Sequence, residues 1–176
     1  MITALLLAGG LGTRLGEITK STPKPLIEIG NSTVLELLID RLEKAGVERI
    51  IVKVHYLPDK ILQKVGGRVL YYYEPVLYSA QETIQNLQHW LREDRFIVIN
   101  GDTLSEIDYK HMIQSHKEGS ISCFFDENWR AGGVWIYPRG YFELQEVPVY
   151  SYKPNIPYWD IGTPESLEKA REHFEL

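Results

Sequence analysis

Short apolar runs alternate along this chain with stretches whose apolar residues recur at helical spacing, and nothing else in the sequence constrains the fold as strongly. Ile2–Ala8, Arg49–Val54, Arg68–Tyr73, Phe96–Ile99, Ile121–Phe125 and Gly133–Tyr137 read as strands, and Val147–Tyr152 extends the series. The first of these is apolar at every position but Thr3, so it offers no face to solvent and must be covered on both sides. Between the runs lie predicted helices. Thr33-Val-Leu-Glu36 and Ser79-Ala-Gln-Glu82 are capping boxes that open helices ending at Gly46 and near Arg92. Asp59–Val65 is a short helix, Asp108 caps one that runs to Gly119, and Thr163-Pro164 starts a closing helix through His173.

Strands alternating with helices predict an α/β fold, a mostly parallel, Rossmann-like sheet with helices on both faces. No repeat, low-complexity tract or linker divides the sequence, so residues 1–176 are expected to form one domain. In such sheets the ligand crevice lies beyond the carboxyl ends of the strands. The loops at 9–16, 74–80 and 100–104 are therefore where function is sought.

Composition narrows the partners. With 44% apolar and 24% charged residues, the chain has the make-up of an ordered globular protein. A net charge of −5 gives no general attraction to nucleic acid or to an anionic membrane, so neither is expected as a partner. Any polyphosphate must be held by local cations or a metal. The single cysteine, Cys123, excludes an intrachain disulfide and sits in an apolar run as a core residue. His111 and His116 are five apart, not the spacing that puts two ligands on one helix face. The apolar N-terminal run has no basic flank and breaks at Gly9, too short for a signal or a spanning helix, which predicts a cytoplasmic protein. The sequence is compatible with a homo-oligomer.

Four segments bear chemistry. After the first strand comes Leu7-Ala8-Gly9-Gly10-Leu11-Gly12-Thr13-Arg14-Leu15, where glycines let backbone N–H groups approach phosphate oxygens. It is neither a dinucleotide fingerprint, since Leu15 stands where the third glycine belongs, nor a P-loop, since no Gly-Lys-Ser/Thr occurs. Thr22-Pro23-Lys24-Pro25-Leu26 holds a lysine between two prolines that preset its direction. Phe96-Ile-Val-Ile-Asn100-Gly101-Asp102 sets an acid past the end of a buried strand, and Tyr158-Trp159-Asp160-Ile161-Gly162-Thr163-Pro164 sets another before the last helix. Each segment alone also reads as an ordinary turn or a solvated charge. Together, two carboxylates beside a phosphate loop would make a hard oxygen site suited to Mg²⁺.

In their order, these segments resemble the sugar-phosphate nucleotidyltransferase family over Ile2 to about Ala170. The resemblance implies transfer of a nucleoside monophosphate from a nucleoside triphosphate to a sugar 1-phosphate or similar small phosphorylated acceptor, with release of pyrophosphate. It makes Leu7, Ala8, Gly9, Gly10, Gly12, Thr13 and Gly101 part of the nucleotide site, with Arg14 on the leaving pyrophosphate. Lys24 would hold the acceptor phosphate or the α-phosphate, and Asp102 and Asp160 would bind Mg²⁺. Arg14, Lys24 and Asp102 are the expected catalytic residues. Gly132-Gly133 with Val134 and Trp135 resembles the strand beside the acceptor sugar. Within the family, the guanylyltransferases acting on heptose or mannose 1-phosphates look most alike, followed by cytidylyltransferases.

The chain departs from the pattern twice. Glu74-Pro75 is followed by Val76-Leu77-Tyr78-Ser79-Ala80-Gln81-Glu82 in place of a glycine-rich base loop, so Tyr78 is expected either to stack on the base or to pack, and Gln81 to reach the base edge. Between Phe125 and Ala131 only five residues stand where the family carries an extended sugar-binding insert. These losses favour a rival reading, a non-catalytic regulatory homologue that binds a nucleotide or nucleotide sugar. Joint retention of Arg14, Lys24, Asp102 and Asp160 opposes it, because binding alone does not demand all four.

Overall fold

The computed structural model describes residues 2–126, 128–154 and 156–174. In chain order the elements are β1 (Thr3–Leu7), α1 (Glu17–Ser21), β2 (Glu28–Ile29), β3 (Ser32–Thr33), α2 (Val34–Lys44), β4 (Arg49–Val54), α3 (Pro58–Val65) and β5 (Leu70–Tyr73). They continue with α4 (Ala80–Leu87), β6 (Arg95–Asn100), β7 (Thr103–Ser105), α5 (Tyr109–Ser115), β8 (Ile121–Phe125), β9 (Ala131–Pro138), β10 (Val149–Tyr152), β11 (Tyr158–Asp160) and α6 (Pro164–Phe174). Seven strands form the central sheet in the order β10-β8-β9-β6-β1-β4-β5. It is mostly parallel, as the alternation predicts; β9 alone runs against its neighbours β6 and β8.

The apolar strands feed two cores in alternation. Ala4, Leu6, Val52, Val54, Ile97 and Ile99 face the larger one, with Leu35, Leu38 and Leu42 of α2, Ile61 of α3, Met112 of α5 and Leu167 of α6. Their neighbours Leu5, Ile51, Phe96 and Val98 face the other, against Ile84 and Leu87 of α4 and Leu91. A period of two with both sets apolar is what a doubly covered sheet requires.

Both capping boxes form. Thr33 Oγ1 and Ser79 Oγ accept the N–H of Glu36 and Glu82, and each glutamate returns a bond to its cap. Two helices end earlier than their periodicity predicts. α4 stops at Leu87, not near Arg92, because the chain must turn back into β6 at Arg95; the Leu87 carbonyl accepts from both Trp90 and Leu91 in that turn. α5 stops at Ser115, not Gly119, because His116 turns into extended backbone and its Nδ1 lies 2.9 Å from Ser122 Oγ in β8. The third strand starts at Leu70, after a tight turn at Gly66–Arg68.

Register brings the sequence-marked loops to one edge. Leu7 is paired with Lys53 on one side and Asn100 on the other, and Val54 with Tyr73. The chain leaves β1, β4, β5 and β6 at nearly one level, so the loops at 9–16, 74–80 and 100–104 emerge from the same end of the sheet.

Candidate functional site

The glycine loop springs from Leu7 and Ala8 and is tied down at its far side. Gly12 has φ 66° and approaches Thr19 so closely that a Cβ would come within 2.8 Å of its methyl, so glycine is required there twice over. Thr19 Oγ1 donates to the Gly12 carbonyl at 2.9 Å, and Tyr56 donates to the Thr19 carbonyl at 2.9 Å. Leu15 is buried beneath. Among the described residues no backbone acceptor takes the N–H groups of Gly9, Gly10, Leu11 or Gly12. Donors held in a fixed turn without an internal partner are suited to an anion. Gly10 is exposed with open space around it, so sterics alone do not demand glycine there.

Four charged side chains meet beside this loop. Lys24 is 6% exposed, and its Nζ donates to Asp102 Oδ2 at 2.5 Å and to Asp160 Oδ1 at 3.4 Å. Arg14 Nη2 lies 4.0 Å from Asp160 Oδ2, with the side chains 65% and 49% exposed. The turn at Lys24-Pro25-Leu26 is a single 3₁₀ turn after Pro23, and it aims the lysine inward. One residue, Gly101, separates Asp102 from the end of β6, and its N–H donates to the Leu7 carbonyl at 3.1 Å, which anchors the acid against the start of the glycine loop.

Asp160 arrives by a device absent from the sequence reading. β11 pairs antiparallel with β7, with Asp160 opposite Thr103, and the Ile161 N–H donates to the Asp102 carbonyl at 3.1 Å. This small ribbon sets the two acids side by side although they are 58 positions apart. Gly162 completes the approach: a Cβ there would come within 2.6 Å of Arg14 Nη2 and 2.9 Å of Asp160 Oδ1. Among the described residues no group of three or more Asp, Glu, His or Cys side chains is placed to hold a metal. Asp102 and Asp160 are a converging pair, and Mg²⁺ characteristically uses one or two carboxylates with phosphate oxygens and water completing its shell.

The remaining sequence-marked residues divide. Gly133, at φ 74°, lies against Asn100 and Thr103 on the crevice edge, whereas the Gly132 position is filled by the Phe124 ring, which a Cβ would meet at 2.3 Å. Packing therefore accounts for Gly132. Tyr78 is half-buried and its N–H donates to Glu74 Oε2 at 3.4 Å. Its phenol raises the pKa of Tyr72, although burial and Glu74 contribute more. Gln81 is exposed in the first turn of α4. Where an insert is expected, Asp126 closes a short hairpin by accepting the N–H groups of Asn128 and Arg130 at 2.9 and 2.8 Å; Glu127 lies outside the described residues.

Sequence reasoning missed Lys53 and Glu74, a buried pair with Nζ 2.9 Å from Oε2 directly under the glycine loop. A lysine within the otherwise apolar Ile50-Ile51-Val52-Lys53-Val54 run was the available signal, because a buried ammonium demands an acid.

Residues 3–131 match the nucleotidyl transferase family model. Over 166 residues the chain is 31% identical to the mannose-1-phosphate guanylyltransferase catalytic subunit beta of Xenopus tropicalis, covering 87% of this chain and 45% of that protein. It thus spans about half the length of such relatives. The D-glycero-alpha-D-manno-heptose 1-phosphate guanylyltransferase of Aneurinibacillus thermoaerophilus is 22% identical and covered over 98% of both chains. The crystal structure of HddC from Yersinia pseudotuberculosis complexed with GMP-PN superposes with a TM-score of 0.81 at 28% identity, covering 99% of this chain and all of that one. A glycine loop at the end of β1, with the lysine and first acid that face it, all falls inside the matched segment, and the chain belongs to the nucleotidyl transferase family.

Proposed function

We propose that this chain transfers a nucleoside monophosphate from a nucleoside triphosphate to a sugar 1-phosphate, releasing pyrophosphate and forming a nucleotide sugar. The observation that carries this reading is the convergence of Arg14, Lys24, Asp102 and Asp160 beside a loop whose N–H groups take no backbone acceptor among the described residues. Guanylyl transfer to a mannose- or heptose-type 1-phosphate is the specific form favoured, because the similar proteins carry those names.

An oxygen of the acceptor phosphate attacks the α-phosphorus, and the bond from that phosphorus to the bridging oxygen of the β-phosphate breaks. The acceptor is already anionic, so no side-chain nucleophile is required. Negative charge grows on the leaving pyrophosphate and the non-bridging oxygens. The loop N–H groups hold the triphosphate, and Arg14, at the exposed side of the crevice, matches the departing oxygens with a planar fork. Lys24 supplies a buried point charge whose direction is fixed by the two acids it bridges.

The two carboxylates suit Mg²⁺ by donor type and by meeting at one point. A bound Mg²⁺ would neutralise phosphate charge and polarise the α-phosphoryl group. Lys24 satisfies both acids in the structure, and the same two carboxylates, Asp102 and Asp160, would hold the divalent cation. Among the described residues no helix is long and apolar enough to cross a membrane.

The test is pyrophosphate release across GTP, CTP, UTP, dTTP and ATP with a panel of sugar 1-phosphates, with and without Mg²⁺. Turnover with GTP and a mannose- or heptose-type 1-phosphate is expected. Tight binding of a nucleotide with no turnover on any pair would replace this reading with the regulatory one.

A further inference from the structure

Beneath the glycine loop lies a charge pair that the phosphate chemistry does not use. Lys53 in β4 is 4% exposed and Glu74, immediately after β5, is 0% exposed. Glu74 is a hub. Its Oε2 accepts from Lys53 Nζ at 2.9 Å and from the Tyr78 N–H at 3.4 Å, while Oε1 accepts from Thr83 Oγ1 of α4 at 2.5 Å. Its carbonyl faces His55 Nδ1 at 2.8 Å. On the other side, a Cβ at Gly9 would come within 2.9 Å of Lys53 Nζ and 3.1 Å of His55 Cβ, so the backbone of the loop rests directly on the lysine.

We infer that Lys53 and Glu74 are positioning residues for the triphosphate: their ion pair locks the floor of the glycine loop, the turn carrying Tyr78 and the start of α4 into one unit. The inference rests on the proposed nucleotidyl transfer. Neither side chain touches substrate. An apolar pair of similar volume would fill this space at least as stably, since buried charges lose their hydration. What the charges add is direction, because each hydrogen bond to the carboxylate fixes one crevice wall relative to another. The elements joined are those of the phosphate and base side. Lys24, Asp102 and Asp160 are held by contacts of their own. Disturbing the pair therefore weakens triphosphate binding and leaves acceptor binding alone.

The experiment uses the whole chain and the triphosphate that wild type binds most tightly among GTP, CTP, UTP, dTTP and ATP. The double variant Lys53→Met/Glu74→Gln removes both charges together, which spares the fold an unpaired buried ion. It is expected to melt near wild type, to bind the triphosphate about tenfold more weakly, and to keep its acceptor KM; misplacement by about 1 Å can cost about a hundredfold. Thr83→Val, which deletes one bond to Glu74 and keeps both charges, is expected to show a smaller loss in the same direction. A folded double variant with wild-type triphosphate affinity, or with both KM values changed alike, overturns the inference. Should the double variant fail to fold, unchanged triphosphate affinity in Thr83→Val overturns it. A wild-type chain that binds none of the five triphosphates defeats the functional reading itself, a separate outcome read before any variant is made.

Discussion

Lys24 Nζ lies 2.5 Å from Asp102 Oδ2 although 78 positions separate the two residues. The pair joins the proline-flanked turn to the end of the central strand β6, and it sets the geometry on which the first predictions depend.

Asp102→Asn keeps the shape of the side chain and removes its charge. The fold is expected to survive, because Asp102 is one-third exposed and its backbone contacts remain. Turnover should fall by about a hundredfold or more, the scale of losing one group that stabilises transition-state charge. Rate measured against Mg²⁺ concentration checks the assignment: wild-type turnover with unaltered metal dependence would refute it.

Arg14→Ala and Lys24→Met should separate by substrate. Arg14 is open to the crevice and is expected to raise the triphosphate KM, whereas buried Lys24 should lower kcat and impair acceptor handling. Initial rates with each substrate varied in turn decide it, and identical defects toward both would end this division of labour.

Gly162→Ala tests how tightly the acids and Arg14 are gathered. The added Cβ meets Arg14 Nη2 and Asp160 Oδ1, the free ends of flexible side chains, so both can swing aside. Thermal stability should change by less than about 1 kcal/mol while turnover drops about tenfold or more. A fully active Gly162→Ala would mean that neither side chain needs its observed position.

Tyr78→Ala distinguishes a base platform from packing. Loss of triphosphate affinity with unchanged melting temperature supports the platform, and the reverse supports packing. A base-stacking Tyr78 also predicts weak discrimination among bases, which competition between triphosphates measures directly.

His116 gives the fold a pH dependence away from the crevice. It is buried against Ser122, and burial, then the charge of Arg95, lowers its pKa below the ordinary 6.5. The unfolded chain takes up this proton first as pH falls, so stability is full above about 6.5 and declines below it until the folded imidazole also protonates. Melting temperatures from pH 7.5 down to 5.5, compared with those of His116→Asn, should show a shallower decline in the variant.

The sequence by itself determined the layer architecture, the helix starts and the strand ends that carry the chemistry. Those are local matters: doubly buried strands need unbroken apolar runs, capping boxes are four-residue hydrogen-bond circuits, and a glycine loop follows its own strand. Helix ends at Leu87 and Ser115 were not legible, because the place where the next strand must begin decides them. The family resemblance put Asp160 beside Asp102, but the three-residue pairing of β11 with β7 that brings them together was not legible, because it joins segments far apart in sequence. The partner in the Lys53–Glu74 pair lay equally hidden: a lysine in an apolar run signals that some acid must meet it, but only the parallel register of β4 and β5 brings Glu74 there. Tertiary structure alone decided which charges meet, since Coulomb energy depends on separation and burial in space, and neither is written in the spacing of residues along a chain.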